Sequence, residues 1–423
     1  MANFKKFVLP NGLRVILVPQ KQSLTTTVMV SVEAGSEYEN KNNNGISHFL
    51  EHMCFKGTVK RPKAINISEE LDGLGANYNA FTSQESTSYY AKVKNDNILK
   101  VLEIVTDMYL NPIFDSSEIE KERGVIIQEL NMYEDLPQRK VHELFFNLVY
   151  GDQPAGWDIG GKKEIIQKLK REDFVTYREK YYLPNTTVVT ISGGGVNEKT
   201  LNLVKKYFAH LNKGKKINKV KTIENQTKPQ ALAKFKKVDQ THLVLGLRAF
   251  NIFNPQKYAL YLAANILGGS MSSRLFQKIR EELGAAYYVH ADTDLYLDHG
   301  LLTVSAGVAH EKVEVVIQKI LEEFVNLAQN EVSQKELEKA KEHWIGNFFM
   351  ALESSDAWAS YYSGQEILGL PIQDPKEIAK LIQKVTPKDI LQVMKQIVKN
   401  ERLNLALIGP FQKKNFADIL RLK

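Results

Sequence analysis

Short apolar runs at residues 7–9 and 13–18 flank Asn11-Gly12, a dipeptide that readily takes positive φ, so the chain is predicted to open with a β-hairpin. Residues 25–34, rich in Thr and Val, read as the next strand. The period then changes. Ile46, Phe49, Leu50 and Met53 recur at helical spacing between a start signal at Asn44-Gly45 and a stop at Gly57, which predicts a short helix with a buried apolar face. Helices are expected at 67–74 and 98–110, with a Thr-, Tyr- and Phe-rich strand at 78–93 between them. The polar positions Asn79, Thr82 and Glu85 of that strand read by default as solvated. A long helix at about 115–134 follows, then helices at 142–150, 162–169 and 173–182, a loop at 157–161 and a strand at 186–192. Gly193-Gly194-Gly195 leads into a helix at about 197–211. Lacking both the P-loop and the dinucleotide fingerprint, the triple glycine reads as a flexible connection and not as a phosphate cradle.

Residues 212–233 are rich in Lys, Asn and Gln with little apolar periodicity, and are the predicted linker. Beyond them come a helix at 256–267, a strand at 301–308, helices at 312–328, 333–352 and 387–399, and a strand at 403–408. That order repeats the first half. Glu118-Ile119 matches Glu336-Leu337 at an offset of 218, and Asp173 matches Asp389 at 216. The expectation is a tandem duplication of one α+β unit: residues 1–211, a linker at 212–233, and residues 234–423.

Composition narrows the class. The chain has 423 residues, 43% of them hydrophobic and 25% charged, as in a globular protein of more than one domain. The net charge of +7 is spread along the chain, with Lys clusters near 211–221 and no basic arm, so no nucleic-acid partner is expected. The apolar runs of the N-terminus are broken by Pro10, Asn11, Gly12 and Arg14, unlike a secretory signal, and no run elsewhere would span a bilayer. Cys54 is the one cysteine, which excludes an internal disulfide and suits a reducing compartment; a cytoplasmic, non-membrane protein is expected, with Cys54 packed as an apolar residue.

The chemistry starts in the short helix. His48 and His52 are four apart and project from one side, close enough to grip a single metal ion, while Glu51 flanks the pair where it can reach a bound water. A lone His on such a helix is ordinarily a structural residue. H-x-x-E-H is a more specific pattern, the inverse of the H-E-x-x-H zinc helix. Two His do not complete a catalytic zinc site, which takes three protein ligands and keeps one open position. Glu122 and Glu129 stand seven apart on one face of the long helix. They are either solvated charges, the usual state of such a pair, or carboxylates partly buried by Val125, Ile126 and Leu130 and drawn to a cation.

Four segments, HFLEHMCFKGT at 48–58, NAFTSQESTSYY at 79–90, ERGVIIQE at 122–129 and GGSMSSRLFQKIREELGAAYY at 268–288, resemble the pitrilysin/insulinase family of zinc peptidases, most closely its mitochondrial processing peptidase-like branch. The similarity runs through essentially the whole chain. It implies one Zn²⁺ per chain held by His48, His52 and Glu129, with Glu51 as general base and Glu122 as supporting carboxylate. It also implies that Arg280 and Tyr287, with Tyr288 the neighbouring alternative, reach the bound peptide, and that Asn79 and Ala80 hold its backbone. The second half would have no metal site, because an offset of 216 sets Ala264, Leu267 and Gly268 against His48, Glu51 and His52. The implied fold is α+β: two tandem homologous domains, each a mostly antiparallel sheet with packed helices, forming a clamshell. The implied activity is a zinc-dependent endopeptidase acting on extended or unfolded peptides, as a homodimer or as a heterodimer with an inactive homologue. The alternative is a non-catalytic peptide-binding or scaffold homologue acting with a partner subunit, which a degenerate motif would mark.

Overall fold

Strands apolar on both faces set the architecture. In β2 (Arg14–Pro19) four consecutive residues are buried, and such a strand needs cover on both sides. The computed structural model describes residues 4–211, 213–412 and 414–422; Asn212, the first residue of the predicted linker, lies outside them.

The first half runs β1 (Lys5–Val8), β2, β3 (Thr25–Val32), α1 (Ile46–Met53), α2 (Ala64–Gly73), β4 (Asn77–Thr82), β5 (Thr87–Lys94) and α3 (Ile98–Leu110). It continues through α4 (Ser116–Asp135), α5 (Pro137–Tyr150), α6 (Lys163–Ile166), α7 (Arg171–Tyr181), β6 (Thr187–Gly193) and α8 (Glu198–Phe208). The second half runs β7 (Gln230–Phe235), β8 (Thr241–Arg248), α9 (Lys257–Gly268), β9 (Ala286–Leu295), β10 (Gly300–Val308) and α10 (Val313–Gln329). It ends with α11 (Gln334–Met350), α12 (Ser355–Ile367), α13 (Pro375–Lys384), α14 (Pro387–Ile397) and β11 (Leu403–Gly409). Among the described residues, no helix is long and apolar enough to cross a membrane.

The sheets are ordered β1-β2-β6-β3-β5-β4 and β7-β11-β8-β10-β9. Each is antiparallel except for one parallel pair, β2 with β6 and β7 with β11. Arg14 and Gln230, Thr25 and Thr241, and Thr187 and Leu403 open corresponding strands, each pair 216 residues apart, so the duplication is present in the strand order itself. Ala264, Leu267 and Gly268 are buried on α9 and offer no donor side chain.

The division into units differs from a simple cut at the linker. One compact unit comprises Met1–Leu130, Asp158–Val220 and Phe349–Asp374; the other comprises Asn131–Trp157, Lys221–Phe348 and Pro375–Lys423. The halves have thus traded a helix. In the first unit Val15 and Leu17 join the core beneath α1, α3 and α7, while Ile16 and Val18 on the opposite face of β2 pack with Val188 against Tyr362 and Ile367 of α12. In the second, Leu243, Leu245 and Leu247 face α9, α10 and α14, while Val244, Ala406 and Ile408 pack on Val141, Phe145 and Val149 of α5. Sequence order assigns α5 and α12 to the halves that encode them; burial of their apolar faces assigns them to the other sheets.

Three local expectations change. The strand at 78–93 is the hairpin β4–β5, turning through residues 83–86. The linker is partly ordered: Lys219 is buried against Glu85 (3.2 Å) and Glu37, and β7 begins inside the segment, recruited by parallel pairing with β11. The triple glycine is packed and not merely flexible, since a Cβ on Gly193 would lie 2.2 Å from the Thr25 carbonyl oxygen.

Candidate metal centre

The short helix α1 is anchored by its apolar face: Ile46, Phe49, Leu50 and Met53 are buried in the core of the first unit. Its N-terminus has no cap of its own, because Gly45 occupies that position at φ 94°. Nor is there room for a side chain, since a Cβ on Gly45 would stand 2.6 Å from the Gly160 carbonyl oxygen. Glu39 does the capping from six residues upstream. Its carboxyl accepts the backbone N–H of Gly45 (2.7 Å) and of Ser47 (2.8 Å) and the Asn44 side-chain amide (3.0 Å). Burial pushes the Glu39 carboxyl up to about 7 against the pull of these bonds.

So held, α1 presents His48 and His52 with ring centroids 4.6 Å apart. Glu129, on α4, places Oε2 3.8 Å from His48 Nε2 and 3.7 Å from His52 Nε2. Those separations exceed hydrogen bonds, yet all three donor atoms lie within 4.8 Å of one another. Ligands at about 2.0–2.1 Å from a tetrahedral Zn²⁺ stand roughly 3.3–3.4 Å apart, so two imidazoles and a carboxylate at these distances fit that ion with small adjustments. Two turns back along α4, Glu122 Oε1 meets His52 Nδ1 at 2.8 Å. The bond sets the proton on Nδ1 and turns Nε2 toward Glu129, the carboxylate–histidine arrangement that orients metal ligands. Lys56 Nζ holds the other Glu122 oxygen at 2.5 Å. Burial raises the Glu122 carboxyl, but the bonds from His52 and Lys56 outweigh it and leave it below its ordinary value. Burial disfavours a charged His52; the Glu122 bond and the nearby Glu51 and Glu129 prevail and raise it, so a cation at Nε2 would meet an already negative surround. Of the two readings left open for Glu122 and Glu129, the structure has the carboxylates facing the His pair.

Glu51 lies beside the pair, 9% exposed. Burial raises its carboxyl, with Glu129 adding and the Thr82 hydrogen bond and His52 opposing. Thr82 Oγ1 donates to Glu51 Oε2 at 2.5 Å. Cys54 is buried in the same core, and burial pushes its thiol up to about 11.

Asn79 and Ala80 sit on β4, the edge of the first sheet, where the Ala80 N–H donates to the Asn79 side-chain oxygen at 2.8 Å. Arg280 and Tyr287 belong to the second unit and meet there: the guanidinium lies 4.9 Å from the Phe276 ring and 5.9 Å from that of Tyr287. Tyr287 is 73% exposed, whereas Tyr288 is half-buried and its hydroxyl is bonded to His242 Nδ1 at 3.1 Å. Of the two tyrosines, Tyr287 is the one open to solvent.

The sequence reading missed Glu39 and Lys56 and took Thr82 and Glu85 for solvated residues. Glu39 carries no local signal, because a carboxylate six residues before a glycine matches no capping pattern. Thr82 ends β4 and Glu85 lies in the turn after it, and neither strand alternation nor turn chemistry reveals what the facing helix or linker offers.

The insulinase (peptidase family M16) signature matches residues 14–162, and that of the peptidase M16 inactive domain matches residues 168–343. The Bacillus subtilis (strain 168) protein named "Uncharacterized zinc protease YmxG" is 33% identical over 406 residues, covering 96% of this chain and 98% of its own length. An uncharacterized zinc protease of Rickettsia bellii is 35% identical over 413 residues, with the same coverage of both chains. The crystal structure of a protease from Helicobacter pylori shares the fold, with a TM-score of 0.90 at 24% identity over 97% of this chain and 100% of that one.

Proposed function

The chain belongs to the insulinase family, peptidase family M16, and from that premise we propose that it is a zinc-dependent endopeptidase acting on extended peptides. The observation that carries the reading is the convergence of His48, His52 and Glu129 within 4.8 Å, with Glu51 alongside. Bound there, zinc would supply a Lewis acid that polarises the scissile carbonyl and acidifies water.

The remaining work falls to side chains. Glu51, with Oε2 held by Thr82, takes the proton of the attacking water on Oε1 and returns it to the leaving amine. Glu122 keeps the His52 imidazole oriented throughout. The β4 edge around Asn79 and Ala80 pairs with the peptide backbone, a mode of recognition that selects extended chains and tolerates varied side chains. Arg280 and exposed Tyr287 are assigned to peptide contact in this reading by the family resemblance.

The test combines metal analysis with digestion of an unstructured peptide library. The purified protein should hold one zinc per chain, cleave peptides and stop when the metal is chelated, while Glu51→Gln should keep its zinc and lose several orders of magnitude in turnover. A zinc-free protein, or a Glu51→Gln variant with a tenth of the wild-type rate, would overturn the reading; a zinc-bound protein that holds peptides without cutting them would establish the scaffold alternative.

A further inference from the structure

One face of β4 in the hairpin β4–β5 packs toward the helix α1 that carries two of the candidate metal ligands. Along β4, Tyr78, Ala80 and Thr82 alternate with the exposed Asn77, Asn79 and Phe81. The Tyr78 ring stacks on Phe55, just past the end of α1, at 6.4 Å; Ala80 enters the core; Thr82 reaches Glu51. Two of these contacts are apolar packing, and the third is a single short hydrogen bond to the carboxyl on which the proposed chemistry turns.

The direction of that bond is settled by its surroundings. Thr87 Oγ1, across the hairpin at 3.4 Å from Thr82 Oγ1, gives its proton to the Ala34 carbonyl at 2.8 Å. An ionised carboxylate can only accept, so the Thr82 hydroxyl proton is committed to Glu51 Oε2. The final torsion of a glutamate side chain is broad and roughly two-fold, so packing of the stem leaves the plane of the carboxyl loosely fixed. A donor rooted in a strand fixes that plane by engaging Oε2, which leaves the taking of a proton to Oε1.

We propose that Thr82 is a positioning residue for the general base, tying the carboxyl of Glu51 to the edge strand along which the peptide is laid. The proposal rests on the peptidase reading above and adds to it that base and peptide share one support. Thr82 is not among the candidate metal ligands and acts through its bond to Glu51. Its contribution is to orientation, so its loss should appear in turnover and not in substrate affinity.

Thr82→Val removes the donor while keeping the β-branched shape that suits a strand, and Thr82→Ser restores the donor with a smaller side chain. With the zinc-loaded full chain and one cleavable peptide, Thr82→Val should lower kcat about 10- to 100-fold with KM unchanged within about twofold, and Thr82→Ser should recover most of the rate. Zinc content and Tm should match wild type in both. In a Glu51→Gln background, Thr82→Val should lower the residual rate no further, because the group it positions has been removed. Wild-type kcat in Thr82→Val, an effect confined to KM, a Ser variant as slow as Val, or an undiminished effect in the Glu51→Gln background would each overturn the proposal. So would a Val variant that has lost its zinc or its fold, since the hydroxyl would then be structural. An inactive wild-type protein would instead overturn the peptidase reading, a distinct outcome.

Discussion

Replacing Glu39 by Gln should weaken the metal helix at its N-terminus, and by an amount that depends on pH. The Glu39 carboxyl, 2% exposed, serves two backbone N–H groups and one side-chain amide with its two oxygens. A glutamine has one acceptor oxygen, and its NH₂ must face one of those donors. At least one buried N–H then loses its partner, at a cost of about 1–3 kcal/mol. A protonated carboxyl keeps acceptor capacity on both oxygens, so it satisfies the donors better than the amide does. The folded-state pKa, about 7 against an ordinary 4.5, lies above the unfolded value, so the folded state binds the proton more tightly. The associated stability is therefore fully present below about 4.5 and is lost as pH rises through about 7, in all about 3 kcal/mol at roughly 1.4 kcal/mol per pH unit. Glutamine does not titrate. The difference between wild type and Glu39→Gln therefore isolates Glu39, and all other groups cancel. Urea unfolding of chelator-treated protein at about pH 5 and about pH 8 should show wild type ahead at the lower pH, with the advantage shrinking at the higher. An advantage that is constant or grows with pH would mean that Glu39 is already ionised in the folded protein at about pH 5 and that its donors outweigh burial. Equal stability at the lower pH would remove the capping role altogether.

Glu122→Gln should keep the fold and lower zinc affinity about 10- to 100-fold, as loss of an orienting carboxylate does; competition with a chromophoric chelator measures it, and an unchanged affinity would separate the His52–Glu122 bond from metal binding. Tyr362→Ala should cost about 3–5 kcal/mol, the range for emptying an aromatic site in a packed core, because Tyr362 is fully buried against the first sheet. An unshifted urea midpoint would show that α12 is not part of that unit's core.

Much of the candidate metal centre could be read directly because it is local. His48, Glu51 and His52 lie within five residues, and Glu122 and Glu129 share one face of one helix, so helical periodicity alone places each set together. Bringing α1 to α4 takes a tertiary contact that no single-segment pattern encodes, and there the resemblance to a family supplied the step. The strands β8 and β9 and the helices α12 and α13 had no named expectation. β8, THLVLGLR, owes its burial to neighbours on both sides, and α12 spreads polar Ser355 and Ser363 over the face it buries, blurring the helical signal. Those serines answer hydroxyls of the sheet: Ser355 Oγ lies 2.9 Å from Thr27 Oγ1, and Ser363 Oγ 2.8 Å from Ser31 Oγ. A polar seam of this kind is invisible until its partner is known. Duplication was legible as repeated order; the trade of α5 for α12 was not, because it leaves that order unchanged.

That trade governs how the polypeptide can be made. Synthesis proceeds from the N-terminus, so α5 emerges with Val141, Phe145 and Val149 exposed well before β8 and β11, the strands that will cover them. The first sheet, meanwhile, has Ile16, Val18 and Val188 bare on one side until residues 349–374 arrive. The first half cannot finish its interior during its own translation, and its bare sheet face and α5 remain sticky surface in the meantime, the condition under which nascent chains aggregate or engage chaperones. A fragment ending at residue 211 has the wrong helix and lacks the right one. Independent production of the first unit would require residues 349–374 supplied in trans or grafted by circular permutation, with residues 131–157 removed.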